Sequence, residues 1–154
     1  MENISLNRKH RMMKKTSNNI WKIILGFGVF IVLIVSFFGY QDIPLNQLKK
    51  KYTDSYSSFV RVGDMDIHYK DQGDKTDSIP IVLIHGTGSS LHTYDHWTKE
   101  LIINHRVIRM DLPGYGLTGP FPDRDYSYNN YVAFLKVFLE KIGIKSCILA
   151  GNSL

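Results

Sequence analysis

Gly151-Asn152-Ser153-Leu154 follows an apolar run, Cys147-Ile148-Leu149-Ala150, and sets a glycine and a serine two residues apart. That is the spacing of a nucleophile elbow, one residue short of a full G-x-S-x-G. In such a turn a strand passes sharply into a helix and lifts the serine hydroxyl above the sheet. A serine held there attacks an acyl carbonyl once a neighbouring base takes its proton. Three other stretches share the same kind of position. His85-Gly86-Thr87-Gly88 follows the apolar run Ile79–Ile84, and its small residues let backbone N–H groups approach a ligand. Asp111-Leu112-Pro113-Gly114-Tyr115-Gly116 follows Arg106–Met110. Leu91-His92-Thr93-Tyr94-Asp95-His96-Trp97 lies close behind the first. Strand ends of this kind form the edge where open α/β sheets place their sites.

Taken singly, each signal is weak. A bare G-x-S occurs by chance, and a glycine-rich turn after a strand serves a phosphate equally well. The other polar residues read as structural. His85 is a turn residue rather than a catalyst, and His68 is a strand residue under the sheet edge. Asp111 holds the turn that follows it, and Asp95 lies at the surface. His92 and His96 are positioned to face a cleft. Cys147, the one cysteine, has no partner for a disulfide or a zinc site and reads as a small core residue.

The elements that must position these groups follow from periodicity. Phe59–Val62 and Met65–Tyr69 flank Gly63-Asp64 and predict a hairpin. Asp71–Ser78 is a loop by composition. Ile79–Ile84 is continuously apolar, as a strand buried on both faces must be. Ser90–Ile103 has helical character, with Trp97 and Leu101 four apart. Arg106–Met110 is a strand. Tyr128–Ile142 repeats apolar residues at helical spacing, with Gly143 as the stop signal, and Ser146–Ala150 is the last strand. A hairpin followed by β-α-β-α-β predicts an α/β fold with a parallel sheet and right-handed crossovers.

Charge and hydropathy divide the chain. Residues 1–22 hold six basic side chains against Glu2, which accounts for the whole formal charge of +5. The remaining thirteen basic residues are matched by thirteen acidic ones. A basic tail directly before an apolar run is better explained by a membrane than by nucleic acid. Ile23–Tyr40 is uncharged and mostly apolar, and its 18 residues would span about 27 Å of a bilayer core of about 30 Å. Trp21 and Tyr40 flank it as interfacial aromatics. Its length, and Phe37-Phe38 where small residues would be wanted, argue against a cleaved signal peptide. The expectation is a cytoplasmic tail (1–22), a single transmembrane helix (23–40) contacting membrane lipid, a polar linker (41–57) and an α/β domain (58–154). The N-terminus would lie inside the cytoplasmic membrane and the domain outside.

Together and in this order, the motifs resemble the α/β-hydrolase superfamily from about Phe59 to Leu154. The stretches that carry the resemblance are His85-Gly86, Asp111-Leu112-Pro113-Gly114-Tyr115-Gly116-Leu117-Thr118-Gly119-Pro120 and Leu149-Ala150-Gly151-Asn152-Ser153-Leu154. The likeness is strongest to membrane-anchored or exported serine hydrolases of bacteria, and it covers the N-terminal half of such a sheet. The resemblance implies Ser153 as the nucleophile. It implies the backbone N–H of Leu154 as one oxyanion donor and that of Thr87 as the other, with Gly88 as second choice. The activating histidine and its orienting acid would follow further along the chain. No cofactor or metal is implied. The substrate would be a small ester or related acyl compound. Serine rather than aspartate at 153 argues against haloalkane dehalogenase and epoxide hydrolase chemistry, which use a carboxylate nucleophile in this fold.

Nothing follows Leu154 in these 154 residues, so the expectation for the chain as written is that it lacks its base, is inactive and folds poorly. The run Ser146–Ala150 would then be an apolar edge without a neighbour. A second reading of a different class stays open: a membrane-anchored binding or decoy module without catalysis, or a gene fragment without function.

Overall fold

A computed structural model describes residues 2–39 and 42–153, with side chains described from Ile20 onward. It divides into two compact units, residues 1–42 and 43–154. In the first, a single helix α1 runs over Glu2–Phe38. The basic segment is therefore helical and continuous with the apolar one. Within it Ile20–Phe38, of mean hydropathy 2.5, is long and apolar enough to cross a bilayer. Its large apolar side chains are exposed all round, as a helix surrounded by lipid requires. Tyr40, expected as an interfacial aromatic, lies outside the described residues.

The second unit begins within the segment read as a linker, and that segment is not featureless. Leu45–Tyr52 forms helix α2. Its Lys49 ammonium sits 4.4 Å from the centre of the Phe59 ring, and Tyr52 lies against His92 at 5.9 Å between ring centres. The sheet strands are β1 (Ser57–Val62), β2 (Met65–Gln72), β3 (Ile81–Ile84), β4 (Val107–Met110) and β5 (Ile148–Gly151). A 3-10 turn at Leu91–Tyr94 leads into α3 (Asp95–Leu101), and α4 spans Tyr128–Lys141. The strand order is β1-β2-β4-β3-β5. The hairpin and the β2–β4 pairing are antiparallel, whereas β4–β3 and β3–β5 are parallel.

The continuous apolar character of β3 and β4 has a direct cause. Val82, Ile84, Ile108 and Met110 pack on one face with Phe134 and Phe138 of α4. Leu83 and Val107 pack on the other face with Tyr94. Strands covered on both faces cannot alternate apolar with polar. β5 is the edge strand, with Ile148 and Leu149 about half exposed. α4 presents Phe134 and Phe138, four residues apart, to the sheet. The Ser127 hydroxyl caps its N-terminus by accepting from the Asn130 N–H. Beyond Gly143, the Ile144 N–H closes its other end on the Leu139 carbonyl at 2.9 Å.

Two residues of this region carry more than local spacing tells. Trp97 does not face the core with Leu101, for it is 62% exposed, and Thr98 is the buried residue of α3. Leu101 packs against the core while Trp97 stands at the exposed margin of the same helix, edge-on to the Tyr94 ring. Asp95 is not a free surface carboxylate. It pairs with Arg109, a buried cation of β4 that also donates to the Leu91 carbonyl and to Gln72 Oε1. A cation in a covered strand must be met by acceptors, and Asp95 supplies the charged one.

The Phe138→Ala substitution removes the largest fully buried side chain and should destabilise the domain by about 3–5 kcal/mol. Lys136→Ala, on the exposed face of the same helix, should stay within about 0.5 kcal/mol. Urea unfolding of the detergent-solubilised chain, followed by near-ultraviolet circular dichroism, reads both.

Candidate active site

The sheet order brings the ends of β3 and β5 side by side, so two motifs more than sixty residues apart in sequence meet. The strand β5 register carries through Gly151 opposite Ile84, and the Asn152 N–H then donates to the Ile84 carbonyl at 3.2 Å. Ser153 follows with φ +45°, a left-handed conformation that a residue with a side chain adopts at a cost of about 1–3 kcal/mol. This is the sharp turn that the Gly-x-Ser spacing requires, and Ser153 is exposed on it.

The His85–Gly88 turn lies directly against the elbow. A methyl group at Gly86 would overlap the carbonyl oxygens of Asn152 and Ser153, so only glycine allows the two loops to touch. The Thr87 N–H, the first-choice oxyanion donor, donates to the Ser153 carbonyl at 3.1 Å. The Gly88 N–H has no hydrogen-bond partner among the described residues. Leu154, whose N–H was the other expected donor, lies outside the described residues. An apolar cleft of about 510 Å³ opens beside Thr87, bounded by Ile84, Leu112, Tyr115, Tyr131 and Leu149.

His85 is wholly buried and acts through structure. Its Nε2 lies 3.0 Å from the Leu112 N–H and must accept from it. The proton therefore sits on Nδ1, which donates to the Gly86 carbonyl at 2.8 Å. Both nitrogens are committed, so the ring ties the turn after β3 to the turn after β4 and has no site free for proton transfer.

Asp111 holds the second turn as expected, and it holds more besides. Its carboxylate is buried at the end of β4. Oδ1 accepts from the Leu91 N–H at 2.8 Å, and Oδ2 accepts from the Leu117 N–H at 2.9 Å and from His68 Nδ1 at 2.8 Å. Gly116, at φ +54°, has its Cα so close to this carboxylate that a side chain would collide with it. His68 is fully buried on β2 rather than lying under an open sheet edge, and its Nε2 meets Ser57 Oγ at 3.0 Å. Burial pushes the Asp111 carboxyl upward, but the hydrogen bonds from His68, Leu117 and Leu91 outweigh it and hold the carboxyl below the usual carboxylate range.

Of the remaining candidates, His92 pairs with Asp95 at 3.0 Å and His96 is exposed. Neither hydrogen-bonds to Ser153. Cys147 is half-buried against the core, and burial raises its thiol pKa. Among the described residues no group of three His, Cys, Asp or Glu side chains is placed to hold a metal ion. The His68–Asp111–Ser57 chain was missed because its members lie 11 and 43 residues apart. The only local signals were a histidine inside a strand and an aspartate at the start of a glycine-rich turn.

Residues 81–154 match the family model described as "Alpha/beta hydrolase family". The chain is 28% identical over 113 residues to a 2-hydroxy-6-oxo-6-(2'-aminophenyl)hexa-2,4-dienoic acid hydrolase of Metapseudomonas resinovorans, covering 70% of this chain and 38% of the relative. It is 34% identical over 98 residues to a haloalkane dehalogenase of Psychrobacter cryohalolentis, covering 62% and 30%. Among solved structures, the Cif epoxide hydrolase of Acinetobacter nosocomialis superposes with a TM-score of 0.60 at 29% identity, covering 74% of this chain and 39% of that one. A membrane phospholipase A described as a bacterial virulence factor shares the fold with a TM-score of 0.62 at 22% identity, covering 86% and 44%. Residues 81–154 carry the sequence pattern of the α/β-hydrolase family, and the domain shares the fold of its solved members. The chain spans about a third of the length of the curated relatives it matches.

Asp111→Asn leaves a neutral side chain that cannot satisfy both backbone N–H groups and His68 together. We expect a loss of about 1–3 kcal/mol, as for a buried donor left without its acceptor. Because the folded pKa lies below the unfolded one, about 3.9, the wild-type contribution is complete above that value. It disappears as pH falls through the lower folded value. Urea titrations between pH 7 and pH 2 should therefore show a fall in stability at the acid end that the Asn variant shows less steeply.

Proposed function

We propose that this chain belongs to a membrane-anchored serine hydrolase acting on esters or related acyl compounds at the outer side of the cytoplasmic membrane. The observation that carries the reading is Ser153, an exposed hydroxyl on a strained turn at the end of β5. The relatives include a dienoic acid hydrolase, a haloalkane dehalogenase and an epoxide hydrolase, all named for reactions on small molecules. Serine at the elbow favours acyl transfer over the carboxylate-nucleophile chemistry of the latter two. In the proposed reaction Ser153 Oγ attacks the acyl carbonyl. The oxyanion is met by backbone N–H groups of the turn after β3, at Gly88 or Thr87, and by that of Leu154. Each such donor supplies about 3–4 kcal/mol in sites of this kind. Use of Thr87 requires its bond to the Ser153 carbonyl to open, whereas Gly88 needs no such change. A histidine and an acid after Ser153 in chain order would complete the site.

The anchor is α1, with its apolar stretch Ile20–Phe38 and the excess of basic residues before it. By the positive-inside rule this puts residues 1–22 in the cytoplasm and the α/β domain on the other side.

The test is to express the protein from its complete reading frame in membranes and treat it with a fluorophosphonate probe. Peptide mapping should place the adduct on Ser153, and Ser153→Ala should lose that adduct. Turnover of a p-nitrophenyl ester should fall at least about 10³-fold in the variant. A folded protein with no adduct at Ser153 would sink the hydrolase reading and leave the non-catalytic anchored module in its place.

A further inference from the structure

A serine–histidine–carboxylate chain lies away from the elbow, between β1, β2 and the end of β4. Ser57 Oγ stands 3.0 Å from His68 Nε2, and His68 Nδ1 stands 2.8 Å from Asp111 Oδ2. The proton positions follow from the partners. Asp111 is held ionised by three donors and can only accept. His68 Nδ1 therefore carries a hydrogen, and the Nε2 edge of the ring faces Ser57. The Ser57 hydroxyl has one proton and two acceptors within reach. Asp54 Oδ1 is at 3.5 Å, a marginal distance, and His68 Nε2 at 3.0 Å takes it.

The ring is fixed in that orientation. Phe59 stacks on it at 5.1 Å with 28° between the planes. The His68 N–H donates to Thr118 Oγ1, and the His68 carbonyl accepts from the Asp111 N–H at 2.9 Å. The base is thus fully buried, whereas Ser57 at the start of β1 is partly exposed. A nucleophile that reaches solvent and a base that is dry and oriented by a carboxylate are the parts of an activated serine.

We infer that Ser57 is an acylation site distinct from Ser153, accepting an acyl or phosphonyl group from small donors with a good leaving group. With an activated aryl ester, Ser57 Oγ forms the new C–O bond and the aryl oxygen leaves with the bonding pair. The Ser57 proton passes to His68 Nε2 and from there to the departing aryl oxide, which carries it into solvent as the phenol. Ser57's own N–H is committed to the Asp54 carbonyl at 3.1 Å and does not point at a developing oxyanion. The reaction is therefore slow and stoichiometric, one adduct per chain, rather than a turnover. The inference does not depend on the role of Ser153.

The test uses the full chain in detergent micelles, first shown folded by near-ultraviolet circular dichroism, with p-nitrophenyl acetate as donor and tryptic mass mapping as readout. Acetyl should appear on Ser57 in the wild type and in Ser153→Ala, and the Ser57 peptide should stay unmodified in Ser57→Ala. The rate at Ser57 should exceed that of the same chain in urea by about 10²-fold, the low end for a positioned base. His68→Gln should remove that advantage. If His68→Gln fails to fold, the comparison of folded and urea-treated wild type still decides. Acetylation confined to lysines, or Ser57 reacting no faster folded than unfolded, would overturn the inference. An adduct on Ser153 alone would overturn it while leaving the hydrolase reading intact.

Discussion

The buried carboxylate of Asp111 is the constraint on which the functional edge of this domain depends. An unpaired carboxylate without water is too costly to keep ionised. Here it accepts from two backbone N–H groups and one imidazole. Each donor belongs to a different segment: the loop that starts the 3-10 turn after β3, the glycine-rich turn after β4, and strand β2. Satisfying the charge therefore fixes three segments at once, and none of the three can move without leaving the carboxylate short of a partner. Gly116 completes the arrangement, because no other residue would let the turn close over that carboxylate.

From that anchor the site is assembled by contacts between backbones. His85 ties the turn after β3 to Leu112, next to Asp111. Gly86 lets the same turn rest on the carbonyls of Asn152 and Ser153. The Tyr94 hydroxyl donates to the Ile84 carbonyl at 2.8 Å and holds the end of β3 from the opposite face. The strained φ of Ser153 is sustained because both neighbours of the elbow are already fixed, an arrangement typical of functional turns. Position at this edge is thus set largely by backbone contacts and by His85, whose two ring nitrogens are both engaged.

Much of this was legible in the sequence, for reasons that differ between elements. Strands β3, β4 and β5 and helix α4 announced themselves because burial on a sheet imposes a period, and a period is local. The Gly-x-Ser elbow and the small-residue turn after β3 were legible because tight backbone approach demands glycine. Long-range pairing left no such mark. His68 and Asp111 lie 43 residues apart, and nothing in either neighbourhood points to the other. Arg109 looked like an ordinary residue of a strand, and Asp95 like a surface carboxylate, until the fold put them together. Helix α2 was hidden by its lysine triplet, which reads as linker, although Lys49 is spent on the Phe59 ring. Trp97 is an exposed aromatic on a short helix of seven residues, where a single spacing of four does not tell which residue meets the sheet.

The surroundings of Ser57 and Ser153 keep two parts of nucleophilic catalysis apart. Ser57 has a base, oriented by a carboxylate and sealed from water, but its own amide is bound to Asp54. Ser153 stands on a left-handed turn packed against the Gly86–Thr87 backbone, but hydrogen-bonds to no histidine among the described residues. A base lowers the cost of losing the serine proton, while amide donors stabilise the charge that forms on the substrate. These act on different atoms at the same barrier, so either alone gives a slow reaction and only their coincidence at one hydroxyl gives turnover. The hairpin can supply a base from β2 but offers a serine on β1 only ladder backbone, whose amides are already engaged in holding the sheet together.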